Sequence, residues 1–375
     1  MGGFRLGSIF GFEIRIDYSW FIIFLLVLWT LASGVFPATF PNQQRSVYFA
    51  MAAGATLLFF ASIVAHELSH SLMARAKGVP VTGITLFIFG GMAHTRMEFE
   101  EPGDEFRIAI VGPLASLAIA AAFQIASMAV DAAGAHEAVV RVAGYLAYIN
   151  VVLAVFNLLP AFPLDGGRVF RSIAWKITGD LQRATRMAAT GGKFLAYALI
   201  AIGFLNFFAG NIVGGIWTVL IGWFVRQAAE SSYLQLMVRR SLDGVRADQV
   251  MTPDPYTVSP EISLESFVDD HVLRGRHHAY PVVDEDRRPI GIVSLEAVRR
   301  VPRDEWPRTS VSDAMVPVDE NVIVSPEESM DRVLDRISGS RARRILVARQ
   351  GQLAGIITSH DIARLVEGVQ LKGEV

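Results

Sequence analysis

The sequence predicts a polytopic α-helical membrane domain of about six transmembrane helices, with a short N-terminal β hairpin before it and a duplicated α/β unit after it. Three observations carry that reading. Long apolar runs dominate the chain up to about Arg226, and 52% of all residues are hydrophobic. Beyond Arg239 the sequence is charged and mixed, like that of an ordinary soluble protein. The soluble half repeats itself once, at an offset of about 65 residues, which is short of the three units a solenoid array needs. Residues 1–230 are therefore expected to form the membrane domain and 231–246 a linker, with the two repeats at 247–306 and 307–370.

Residues Phe4–Ile16 alternate in polarity and carry Gly7 and Gly11, as a hairpin does. The apolar stretch after them is long and has Asp17 before it, with no small-x-small cleavage site behind it. It is expected to be a retained span rather than a cleaved leader, and Leu6 stands where a myristoylation signal needs Ser or Thr. The expected spans are Tyr18–Phe36, Val47–Ala74, Ile108–Val130, Val139–Leu159, Phe194–Ala209 and Ile212–Val225. A span needs roughly 20 apolar residues. The last two fall short of that and are separated by Gly210-Asn211, so a helical hairpin that barely crosses is expected there.

Loop charges orient these spans. Arg75, Lys77, Arg96 and Arg107 follow the second span, and Arg168, Arg171, Lys176, Arg183, Arg186 and Lys193 follow the fourth. Arg226, Arg239 and Arg240 follow the sixth, whereas the opposite loops hold only Arg45 and Arg141. Basic loops mark the cytoplasmic face. Both termini and the repeats are thus expected in the cytoplasm, in a multi-pass protein of the cell membrane. The net charge of -2 says little about partners, and the lack of a basic run with interleaved aromatics argues against nucleic acid. With no cysteine in the chain, disulfides and thiolate metal ligands are excluded.

In the soluble half, Asp248-Gln249-Val250-Met251, Tyr280-Pro281-Val282-Val283 and Gly291-Ile292-Val293-Ser294 return as Asp313-Ala314-Met315, Arg344-Ile345-Leu346-Val347 and Gly355-Ile356-Ile357-Thr358. Short β-branched strands alternate with amphipathic segments such as Ser263–Arg274 and Glu328–Ser338. Two small α/β units packed as a pair are expected.

The chemistry centres on His66-Glu67-Leu68-Ser69-His70, inside an apolar helix. Residues four apart share a helix face, so both imidazoles can bind one metal with Glu67 beside it. Zinc would lower the pKa of a coordinated water toward neutrality. Glu67 would take its proton and pass it to the leaving amine. The motif is short enough to occur by chance. Its place inside a span argues for function, because each intramembrane charge costs about 2.5–3.5 kcal/mol even on insertion scales.

Catalytic zinc wants three protein ligands and an open position. The stretch Asn157-Leu158-Leu159-Pro160-Ala161-Phe162-Pro163-Leu164-Asp165-Gly166-Gly167 follows the fourth span. Its prolines break the helix, and non-helical backbone at membrane depth is tolerated where it lines a cavity. Taken alone, Asp165 reads as a helix cap. Paired with the histidine helix, whose motif falls at the same cytoplasmic depth, it reads as the third ligand.

On these motifs the chain resembles the site-2 protease family of intramembrane zinc metalloproteases, in the subgroup that carries a C-terminal pair of CBS domains. The resemblance covers essentially the whole chain. It extends to Asn157, Pro160, Asp165 and Gly166 in the second motif, to Phe89-Gly90-Gly91-Met92 and to Val111-Gly112-Pro113. It implies one zinc per chain, with His66, His70 and Asp165 as ligands and Glu67 as the acid/base. The expected activity is hydrolysis of peptide bonds in membrane-embedded substrates, as in regulated intramembrane proteolysis. An anti-sigma factor or a membrane-bound pro-protein would be a typical substrate.

Asn157 has two readings: it holds the substrate backbone or developing oxyanion, or it bonds a broken-helix carbonyl. Gly90 and Gly91 shape either a re-entrant loop beside substrate or a plain turn. Ser116 stands where many family members have Asn, so no polar role is assigned to its helix. Thr358 and Asp361 match the ribose-binding pattern of CBS pairs, and a carboxylate can accept both ribose hydroxyls. The first repeat has Ser294 with Ala297 and lacks that carboxylate, so a single adenosine-nucleotide site is expected. The alternative is a packing or dimerisation module, and a homodimer through the CBS pair is an expectation of the resemblance. The competing functional reading is a CBS-regulated transporter or channel that uses the His/Glu cluster as an ion path. It needs polar residues on several spans, and the first, fifth and sixth carry almost none.

Overall fold

The computed structural model describes residues 3–371, apart from 89, 96–100, 135, 243, 275–278, 319–321 and 340–343. Phe89, Arg96 and the side chain of His94 thus lie outside the described set. The chain divides into two units, Met1–Leu234 and Gln235–Val375.

The first unit opens with β1 (Gly3–Ile9) and β2 (Phe12–Asp17), which pair antiparallel as the alternation predicts. Helix α1 (Trp20–Thr30) follows and continues through a π-helical turn at Leu31–Val35 into α2 (Phe36–Thr39). Next come α3 (Arg45–Ala76), β3 (Val81–Phe87), β4 (Gly90–Thr95), α4 (Pro102–Ala132), α5 (Glu137–Asn157), α6 (Asp165–Thr178), α7 (Leu181–Phe208) and α8 (Ile212–Leu242). Six helical segments among the described residues are long and apolar enough to cross a membrane: Trp20–Thr39, Arg45–Ala76, Pro102–Ala132, Glu137–Asn157, Leu181–Phe208 and Ile212–Leu234.

The expected short hairpin at the end of this unit is corrected. Helices α7 and α8 are full-length, because each extends through polar turns that the apolar run leaves out. Arg183, Arg186 and Lys193 are helical residues of α7. The N-terminal hairpin is likewise part of something larger, a sheet of order β1-β2-β3-β4. Strand β3 lies parallel to β2, with Ile14 opposite Ile84, and β4 returns antiparallel with Gly90 opposite Phe87. Gly90 and Gly91 therefore begin an edge strand rather than a re-entrant loop. Alternate residues of β2 point inward, leaving Phe12, Ile14 and Ile16 buried. Ile16 and Leu86 pack with Trp20, Phe60 and Ile63. The sheet thus rests on the turns of α3 just before His66.

Small residues set the helix contacts. Ala52, Ala55, Ala109, Ala154, Ala184, Ala188 and Ala196 are wholly buried. Between helices in lipid the driving force is close backbone approach and van der Waals packing, which small side chains permit.

The second unit contains α9 (Ala247–Val250), β5 (Thr252–Pro253), α10 (Leu264–Phe267), β6 (Ala279–Val283), β7 (Pro289–Ser294), α11 (Leu295–Val298), α12 (Val311–Ala314), β8 (Val316–Pro317), β9 (Ile323–Val324), α13 (Met330–Gly339), β10 (Arg344–Arg349), β11 (Gln352–Thr358) and α14 (Ser359–Leu371). The expected helix at Ser263–Arg274 is a short α10 running into a π-helical turn at Val268–Val272. The repeats interlock by exchanging their leading strands. β5, from the start of the first repeat, pairs with β11 of the second, and β8 pairs with β7 of the first. Leu242, upstream of the first repeat, and Ala247, at its start, are buried in the core of the second with Val324, Met330, Ile345 and Ile357.

Candidate metal centre

Both motif histidines lie on one face of α3 and are buried, His66 4% and His70 8% exposed. Each ring is held through Nδ1. His70 Nδ1–H donates to the carbonyl of Ile108 at 2.6 Å, and His66 Nδ1 hydrogen-bonds Ser116 Oγ at 2.9 Å. Both partners come from α4. Such outer partners fix ring orientation and tautomer.

With Nδ1 engaged, the two Nε2 atoms turn to one point and stand 3.3 Å apart. Asp165, at the start of α6, brings Oδ2 to 3.0 Å from His66 Nε2 and 3.2 Å from His70 Nε2. Ligand atoms about 2.0–2.1 Å from a tetrahedral zinc stand about 3.3 Å apart. The three separations match three edges of such a tetrahedron and leave its fourth corner free. The electron pairs agree with the distances. A neutral His70 that donates through Nδ1 presents a bare Nε2 to a carboxylate oxygen, which is acceptor against acceptor until a cation lies between them. Among the described residues this is the one group of three or more metal-type donors within 4.8 Å of one another.

Local sequence explains how the pieces reach each other. The α5–α6 connection is tightly wound, and side chains at Gly166 and Gly167 would run into the backbone of Leu158, Leu159, Ala161 and Phe162. Gly112 of α4 faces the imidazoles, and a Cβ there would come within 2.7 Å of His66 Nε2 and closer still to His70. Gly91 stands beside Glu67, whose side chain would collide with any Cβ at that position. The edge strand and the candidate base are thus in contact.

Other predicted residues lie apart from this cluster. Asn157 Nδ2 donates to the Leu153 carbonyl, one turn back in α5, at 3.0 Å. In the second unit Asp361 is 5% exposed and caps α14, accepting from Thr358 N at 2.9 Å and Thr358 Oγ1 at 2.6 Å. Its other oxygen accepts from Thr252 Oγ1 of β5 at 3.1 Å. In the first repeat Ser294 Oγ caps α11 by accepting from Ala297 N at 3.2 Å, with no carboxylate present.

Sequence reasoning missed Ser116, Ile108 and Gly112 as parts of this centre. Ser116 gives its helix a polar contact with His66, a role that the departure from the family pattern had put in doubt. The available signal was spacing, since 108, 112 and 116 share a helix face.

Comparison with known proteins follows the same division. The model of peptidase family M50 matches residues 54–132 and 124–199, and that of the CBS domain matches 247–304 and 311–368. Rip3 of Mycobacterium tuberculosis is 38% identical over 368 residues, covering 98% of this chain and 93% of that protein. The zinc metalloprotease MJ0392 of Methanocaldococcus jannaschii is 32% identical over 376 residues, covering 99% and 98%. Among solved structures, the site-2 protease from Methanocaldococcus jannaschii is similar at 30% identity and a TM-score of 0.43, covering 62% of this chain and 95% of that one.

Proposed function

Because this chain belongs to the site-2 protease family of membrane zinc metalloproteases, with a tandem CBS pair, we propose that His66, His70 and Asp165 hold its zinc and that Glu67 is its acid/base. The observation that carries the assignment is the convergence of two imidazole nitrogens and one carboxylate oxygen at tetrahedral spacing. Zinc, when bound, supplies Lewis acidity that acidifies water and polarises the scissile carbonyl.

The chain's own residues do the rest. Glu67, one residue from a ligand on the same helix, takes a proton from the attacking water as the oxygen–carbon bond forms. It returns that proton to the nitrogen as the carbon–nitrogen bond breaks. Ser116 and Ile108 keep both imidazoles turned to the metal. The edge strand β4 receives the substrate. An unpaired strand edge offers backbone donors and acceptors to an extended peptide, and Gly90-Gly91 lets that peptide lie close to Glu67. Beside its bond to Leu153, Asn157 keeps Oδ1 and a second Nδ2 hydrogen to offer the substrate backbone. The substrate is a membrane-embedded protein, of the anti-sigma factor or pro-protein type, whose helix unwinds to enter. The reaction is then a step of regulated intramembrane proteolysis.

The loop charges support a topology with both termini and the CBS pair in the cytoplasm. The pair binds one adenosine nucleotide at Thr358 and Asp361 and forms a homodimer. A ribose that takes Asp361 competes with Thr252, on the segment that continues from α8.

The test is cleavage of a tagged membrane substrate by purified protein in detergent or liposomes. Glu67→Gln is expected to lower kcat by about 10²-fold or more while KM changes little. Cleavage at the wild-type rate by that variant contradicts the assignment of the base.

A further inference from the structure

Glu105 lies in the first turn of α4 and its side chain is wholly buried. A buried carboxylate is costly unless it is paired and hydrogen-bonded. Arg171 of α6 supplies the pair, with Nε 2.8 Å from Glu105 Oε1 and a second guanidinium nitrogen on the same oxygen. Arg168 adds a longer contact at 3.9 Å. Yet among the described residues Glu105 Oε2 is buried with no hydrogen-bond partner. Two apolar side chains of similar volume often hold helices together as well as a half-satisfied ion pair does. Stability alone is therefore a weak account of this pair.

Its location suggests another. Glu105 precedes Ile108 by three residues and Gly112 by seven, a spacing that puts all three on one helix face. Ile108 orients His70, and Gly112 faces both imidazoles. On the other side, Arg168 and Arg171 follow Asp165 by three and six residues along α6. The Arg171 guanidinium also lies over the ring of Phe162, 5.1 Å from its centroid, in the turn that leads into Asp165. The ion pair thus ties the part of α4 that holds the histidines to the helix and turn that carry the carboxylate.

We propose that the Glu105–Arg171 pair is a positioning device that sets the spacing of α4 and α6, and through it the distance of Asp165 from His66 and His70. The proposal rests on the reading of those three residues as zinc ligands. It needs no contact between the pair and the metal, so its signature is metal affinity and geometry rather than loss of a reacting group.

The experiment uses the full-length protein in detergent, with zinc affinity measured by chelator competition and coordination read from the visible spectrum after cobalt substitution. Arg171→Gln is expected to weaken zinc binding by roughly 10–100-fold, the usual cost of disturbing an outer partner of a metal site. It also leaves Glu105 with only the longer Arg168 contact, and the variant fails to fold if that cost dominates. The double variant Glu105→Gln/Arg171→Gln removes both charges and carries the test in that event. It is expected to keep near-wild-type thermal stability, to show the same loss of zinc affinity, and to give a cobalt spectrum shifted from the wild-type four-coordinate form. Arg171→Lys is expected to recover part of the affinity. A double variant with wild-type zinc affinity and cobalt spectrum overturns the positioning role and leaves the ligand assignment standing. Wild-type protein that binds no zinc overturns the ligand assignment, and this proposal with it.

Discussion

Gly112 shows how much of the candidate metal centre depends on a side chain that is not there. A single methyl at this position would occupy the space of the His66 and His70 ring nitrogens. Gly112→Ala is therefore expected to weaken zinc binding by roughly 10–100-fold, with little change in the amount of folded protein. Chelator competition on the purified variant checks this, and wild-type affinity would show that the rings sit elsewhere. At this scale the sequence was informative where one helix carries the whole signal. His66, Glu67 and His70 are legible from spacing alone, because four residues make one helical turn. Asp165 was legible only in partnership with them. Ser116 was not, since its meaning depends on α4 passing within 2.9 Å of His66 Nδ1, a distance set by packing.

Among the elements, the long helices announce themselves by apolar length, and the short strands do not. Val81–Phe87 and Gly90–Thr95 have no clean alternation, and β4 opens on two glycines. Their strand state comes from pairing with β2 and with each other, a tertiary effect that overrides weak local preference. Helix α7 was read too short for a related reason, since its polar turns are helical through the spacing of buried Ala184, Ala188 and Ala189 rather than through hydropathy. Leu242 gives a test at this scale. It ends α8 and yet is wholly buried in the core of the second repeat. Leu242→Ala is expected to destabilise the second unit by about 2–5 kcal/mol. Urea unfolding of a fragment spanning residues 235–375 would measure it. A loss below about 1 kcal/mol would mean that this segment is not part of that core.

For the whole molecule, the division into a membrane half and a soluble half was visible in composition, and the duplication in the recurrence of Met251 as Met315 and Gly291 as Gly355. The exchange of leading strands was not visible, because two repeats with the same pattern pair equally well within or between themselves on paper. On the proposed nucleotide site, the exchange links the two repeats. Asp361 of the second repeat bonds Thr252 of the first, and that strand follows directly from α8 and α9. Asp361→Ala is expected to lower adenosine-nucleotide affinity by at least about 10-fold, since it removes a charged acceptor worth roughly 1.5–3 kcal/mol. Calorimetric titration of the full-length protein with AMP and ATP would measure this. Equal affinity in the variant would place the nucleotide elsewhere or mark the pair as a packing module.

Three side chains from α3 and α6 are assigned here to one catalytic zinc. The most direct measurement is the zinc content of purified full-length protein after dialysis, compared across His66→Ala, Asp165→Ala and Glu67→Gln. About one zinc per chain is expected in the wild type and in Glu67→Gln, and a large loss in the two ligand variants. Wild-type protein free of zinc, or an Asp165→Ala variant that retains it fully, would overturn the assignment.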